Sequence, residues 1–118
     1  MPSFHERLRD LIQEYSPTIC PQENTIWGQT ALDLDKAYHA AMARREAYHK
    51  ARNAARENQG PDEEAIHALR AYTAALREFD LAEQHEQAAF FRCAYFVTKS
   101  LAREAAGEIT IPPEARHG

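Results

Sequence analysis

The chain has little with which to build a catalytic site. Its four glycines, Gly28, Gly60, Gly107 and Gly118, are scattered, so no glycine-rich loop cradles a phosphate or a dinucleotide. Its two cysteines, Cys20 and Cys93, stand far apart and read as reduced thiols rather than as a disulfide framework. No apolar run approaches the roughly 18 residues of a membrane span. The segment MPSFHERLRD is charged from residue 5 onward and holds no apolar stretch, so no secretion signal and a cytoplasmic location are expected. A basic excess is also missing. The net charge of -4 and the isoelectric point near 5.8 argue against a nucleic-acid binder.

What the chain does have is material for a core. Hydrophobic residues make up 44% of its 118 residues, which fits one ordered domain and not a disordered chain. A lone domain of this size buries somewhat under about 70% of its unfolded surface, which gives only modest stability.

Local signals predict an all-α chain, with glycine used as punctuation. Ser3 with Glu6 is a capping-box pattern, and Leu8, Leu11 and Ile12 follow at helical spacing, so a short first helix is expected to about Tyr15. The stretch YSPTICPQENTIWGQT carries two prolines, a glycine and the only tryptophan. It reads as an irregular ordered loop whose Ile19, Ile26 and Trp27 are too apolar to hang free. Thr30, with Asp33 and Asp35 behind it, suits the N-cap of a second helix running to about Asn58. In that helix Leu34, Tyr38, Ala41 and Tyr48 mark one face, and Ala40, Ala43, Ala47, Ala51 and Ala54 mark a small-residue face fit for a close antiparallel neighbour.

The turn ENQGPDEE offers Gly60 to end that helix and Pro61 to start the next, with Asp62, Glu63 and Glu64 facing its N-terminal dipole. The third helix is expected from Pro61 to about Ala106, with Ile66, Leu69, Tyr72, Leu76 and Phe79 as its stripe. Such a helix spans about 70 Å, and the second covers only its first two thirds. Either it breaks near DLAEQHEQ or it overhangs. The tail EITIPPEARHG, from residue 108 to 118, reads as extended because of Pro112 and Pro113.

Three chemistries have candidate residues in the chain. Glu46–His49 and Glu64–His67 are both E-x-x-H, the motif that di-iron bundles use twice. In an antiparallel pair the two would sit roughly 6 Å out of level, and the short first helix supplies no clear inward glutamates. Solvated helix faces explain them, as they do Glu83-Gln-His85-Glu86, so no metal or cofactor is expected. Cys93 lies among aromatics, where an apolar setting leaves a thiol inert, and Cys20 in the loop has no histidine beside it. No catalytic residue is therefore assigned. Arg44, Arg45, Lys50, Arg52 and Arg56 are the best case for nucleic acid, but ion pairs across the hairpin to Asp62, Glu63 and Glu64 explain them too.

The stretch FFRCAYFV, Phe90 to Val97, is apolar all round, and such a helix is usually surrounded. The first helix, through Phe4, Leu8, Leu11 and Ile12, covers one side, and the Trp27 segment covers another. The rest of the circumference is either internal or a surface for another chain. Trp27, Phe90, Phe91, Tyr95 and Phe96 are thus the candidate partner-binding or dimer-interface residues.

In size, all-helical character and aromatic-rich third helix, the chain resembles the QslA-like quorum-sensing anti-activators of pseudomonads over its whole length. That resemblance implies a non-enzymatic cytosolic homodimer. It would bind the ligand-binding domain of a LuxR-type transcription activator and keep the activator from dimerising. It assigns no individual residue.

Overall fold

The computed structural model describes residues 1–58 and 63–117. It contains α1 (Phe4–Ile19), α2 (Pro21–Asn58), α3 (Glu63–Ala105) and a 3-10 helix, Pro113–His117. The chain is all-α, and α2 and α3 pack closely as a hairpin. Contacts group the residues into two units, Met1–Thr30 with Glu86–Gly118, and Ala31–His85. The expected turn residues Gly60, Pro61 and Asp62 lie outside the described residues.

The first cap is where the sequence puts it. The Ser3 side chain accepts a hydrogen bond from the Glu6 N–H at 3.1 Å, which satisfies one of the free donors of the first turn. The expected irregular loop after Tyr15 is instead helix on both sides of a one-residue joint. Pro17 is accommodated inside the last turn of α1, and only Cys20 leaves helical geometry, at φ -141° and ψ 70°. Its N–H donates to the Ser16 carbonyl at 2.9 Å, and its carbonyl accepts from Asn24 at 2.8 Å, opening α2. Pro21 occupies the first position of α2, where its fixed φ helps and its missing N–H is not needed. The buried Ser16 hydroxyl donates to Asn24 Oδ1 at 2.7 Å and ties the two helices at the joint.

This corrects three expectations. Thr30 is no N-cap: it lies inside α2, and its hydroxyl donates to the Trp27 carbonyl at 2.7 Å. Gly28 is no boundary either, but an interior residue of the same helix. The mismatch between the long helices shrinks, since α2 has 38 residues and α3 has 43. No break interrupts α3 near DLAEQHEQ.

In the first unit, the start of α2 and all of α1 pack on the C-terminal part of α3. Ile12, Trp27, Phe90, Cys93 and Val97 form its buried centre, flanked by Leu8, Tyr15, Phe96 and Leu101. Each large apolar side chain buried there contributes roughly 1.5–3 kcal/mol. Gly107 closes α3 at φ +76°. It donates to the Glu104 carbonyl at 3.0 Å while Glu108 reaches back to Arg103 at 2.9 Å, the paired bonds of a Schellman cap. The tail is not extended throughout. Pro113 begins a 3-10 helix, which needs no donor from its first residue, and this helix packs on α1 with Ile111 and Ala115 buried.

The hairpin unit is built differently. Its seam is closed by small residues, Ala41 and Ala65, with Tyr48 stacked on Tyr72 at 6.3 Å and Tyr38 against Phe79 at 6.2 Å. Of the expected α3 stripe, Tyr72 and Phe79 are half-buried, while Ile66, Leu69 and Leu76 are exposed. Alanine lets the two backbones approach, and the longer aliphatic side chains are turned to the flank.

A β-carbon added at Gly28 meets nothing within 4 Å. Gly28→Ala should therefore raise stability by about 0.5–1 kcal/mol, because alanine loses less backbone entropy in a helix. A urea midpoint that falls instead would contradict a helical Gly28.

Candidate protein-binding surface

The side chains of α3 divide into an inner and an outer set at 100° per residue. Glu86, Phe90, Cys93 and Val97 recur at four- and three-residue spacing and point into the core of the first unit. Phe91 and Tyr95, also one turn apart, fall on another face.

The inner set contains a charge. The Glu86 side chain, in a residue only 4% exposed, receives Arg9 Nη2 at 2.6 Å on one oxygen and 2.9 Å on the other. Trp27 Nε1–H donates to it at 3.5 Å. The Arg9 guanidinium also lies 4.6 Å over the Phe90 ring and 6.0 Å over Trp27, and the two rings are 5.3 Å apart. Glu86 is therefore no part of a solvated polar stretch. The signal for this was its place one turn before Phe90 and two turns before Cys93, on the apolar stripe.

The two thiols are buried neighbours in the same core, and Cys20 is not on an exposed loop. Burial pushes the Cys20 thiol up to about 12, helped by the adjacent Cys93 with which it shares a hydrogen bond and by the Glu23 charge. Burial raises Cys93 as well. Neither is a ready nucleophile at neutral pH.

The expected interface residues separate. Trp27 and Phe90 are taken up by the core, where the Glu86 and Arg9 contacts hold them, and little of either is exposed. Phe96 is half-buried against that core. Phe91 and Tyr95 are 65% and 58% exposed. Together with Arg92 and Phe96 they line a shallow apolar recess of about 370 Å³. Tyr95 stands edge-on to Phe96 at 5.4 Å, and Lys99 Nζ lies 5.5 Å from the Tyr95 ring centre.

The other candidates are dispersed. Glu46, His49, Glu64 and His67 are all exposed, and no three metal-ligating side chains converge among the described residues. Arg44, Arg45, Lys50 and Arg56 are exposed and Arg52 is half-buried. Among the described residues no ion pair joins them to Glu63 or Glu64, and the expected partner Asp62 lies outside those residues. No described helix is long and apolar enough to cross a membrane.

Phe90→Ala should destabilise the fold by about 3–5 kcal/mol, since a large buried ring leaves a cavity. Phe91→Glu should change the thermal midpoint little and leave the helical circular dichroism intact. Equal losses in the two variants would show that Phe91 is not at the surface.

A second expectation concerns alkali. In the unfolded chain Cys20 ionises near its ordinary value of 9.0, whereas the folded thiol holds its proton to about 12. The unfolded state thus loses the proton first as pH rises. The thiol's contribution to stability is full below pH 9 and is lost between there and about 12. In urea melts at pH 8 and pH 10.5, the wild type should lose more stability than Cys20→Ala. Identical losses would refute the buried neutral thiol.

Comparison with protein-family models, with curated proteins and with solved structures found no match to this chain.

Proposed function

We propose that this chain is a non-enzymatic protein-binding regulator that works by covering a surface on another protein. The observation that supports this is the placement of Phe91 and Tyr95. They are large aromatic side chains on a well-packed helix, yet they remain mostly exposed around an apolar recess. Aromatic residues beside an arginine, here Arg92, are the types that dominate binding energy at interfaces. Their backbone is already held in α3, so a partner that buries them has little chain ordering to offset.

The mechanism is steric. A partner whose own assembly surface is apolar buries it against Phe91 and Tyr95 and loses access to its usual mate. The likeness to the quorum-sensing anti-activators supplies a concrete case: a LuxR-type transcription activator whose ligand-binding domain is kept from dimerising.

The test is a tagged pull-down from the native host, run with the wild type and with Phe91→Glu/Tyr95→Glu. One protein should be recovered near stoichiometry by the wild type and at least about tenfold less by the variant, whose dichroism is unchanged. The purified partner should then shift from dimer to monomer when the chain is added. Equal recovery by both proteins, or a partner whose oligomeric state does not change, would sink the masking mechanism.

A further inference from the structure

Between Glu86 and Glu104 the chain carries no carboxylate, although its net charge is -4. The same stretch holds three cations, Arg92, Lys99 and Arg103. Arg103 is matched by Glu108 at 3.2 Å. Among the described residues Arg92 and Lys99 form no ion pair. Both are exposed, and both lie on the side of α3 that presents Phe91 and Tyr95: Arg92 lines their recess, and Lys99 reaches over the Tyr95 ring.

The exposed residues of this side also have a period. Ala88, Phe91, Tyr95, Thr98, Ala102 and Ala105 alternate by three and four residues along α3, and all are exposed. That is the spacing of a two-helix seam, about 26 Å long, with its bulk in the middle and alanine at both ends. Arg92 and Lys99 each follow directly after a seam residue and so form one basic edge. The Thr98 hydroxyl donates to the Ala94 carbonyl at 2.7 Å, so covering it costs no hydrogen bond. An extended segment laid on such a face would leave its own backbone groups without partners, whereas a helix pairs them internally.

We propose that this seam takes an amphipathic helix of the partner protein, apolar along its contact stripe and acidic along the edge that meets Arg92 and Lys99. The inference rests on the masking function proposed above and adds the chemistry of the partner. A second copy of α3 does not supply that chemistry. Laid antiparallel, it sets Arg92 and Lys99 against their own counterparts. Laid parallel, it offers them Gln87 and Ala94, which carry no charge. With an acidic helix the aromatic contact supplies the affinity, and the charged edge selects the partner and the direction in which it lies.

The probe is a synthetic helical peptide of about 21 residues, with leucine along its seam and glutamate on both edges, set beside the same peptide with lysine on the edges. In fluorescence anisotropy the full chain should bind the glutamate peptide at least about tenfold more tightly, and the advantage should shrink in about 0.5 M salt. Arg92→Glu/Lys99→Glu should reverse the preference, and Phe91→Glu/Tyr95→Glu should lose both peptides. Should the aromatic double variant also lose helix, the charge reversal decides. Equal affinity for the two peptides, binding of neither, or a preference that survives the charge reversal overturns the acidic helix. So does a face that pairs two copies instead, read as a mass in sedimentation that Phe91→Glu halves. These outcomes bear on the partner's chemistry alone. The masking function fails separately, when a host protein is captured equally by the wild type and by Phe91→Glu/Tyr95→Glu.

Discussion

A carboxylate removed from water must be matched, and in this chain the match is made by two other helices. Glu86 sits on α3, Arg9 on α1 and Trp27 on α2, and all three meet within hydrogen-bonding distance. Leaving such a carboxylate unpaired would be strongly destabilising, on the order of 3–5 kcal/mol, although forming the pair contributes far less than that net. The asymmetry makes the group a register device. A slip of α1 or α2 by one residue would strand the charge, whereas a purely apolar contact would tolerate it. Arg9 serves twice, since its guanidinium also lies over Phe90, and a partly exposed cation–π contact of this kind contributes about 1 kcal/mol.

That constraint sorts the aromatic residues of α3. Once Phe90 is held under Arg9 and beside Trp27, helical rotation leaves Phe91 no route into the same core, and Tyr95 follows it one turn later. The apolar run Phe90 to Val97 therefore has two uses. Phe90, Cys93 and Val97 fill the first unit, and Phe91 with Tyr95 is surface that the chain itself does not cover. A helix that is apolar on every side is usually surrounded, and here the surrounding is incomplete.

The sequence carried the fold through its strongest local signals. Ser3 opens α1, Gly107 closes α3, and the long amphipathic segments pair as a hairpin. It misled between Tyr15 and Thr30, where proline and glycine read as loop. Pro21 starts a helix as readily as it ends one, and Gly28 is held in α2 because Trp27 beside it is anchored in the core, which outweighs glycine's small penalty. Glu86 was illegible by residue type alone, because a buried glutamate is rare and its partner lies 77 positions away. Of the candidate surface, the residue types were legible but the facing was not. Periodicity says which side chains share a face, while the identity of the buried face depended on the Arg9 contact.

The two units answer the same physical problem in opposite ways. In the first, aromatic and aliphatic bulk fills the space among three helices, and one charge is admitted to fix their register. In the hairpin, Ala41 and Ala65 bring two helices close, and the pairs Tyr48–Tyr72 and Tyr38–Phe79 fill the rest of the seam. Close approach improves contact between backbones, but it gives up the apolar area that larger side chains would bury, at about 25 cal/mol per Å². Ile66, Leu69 and Leu76 beside the seam stay exposed. The choice of alanine at the seam and of leucine beside it therefore makes a single trade, in which interior volume within the hairpin is exchanged for apolar area on its flank.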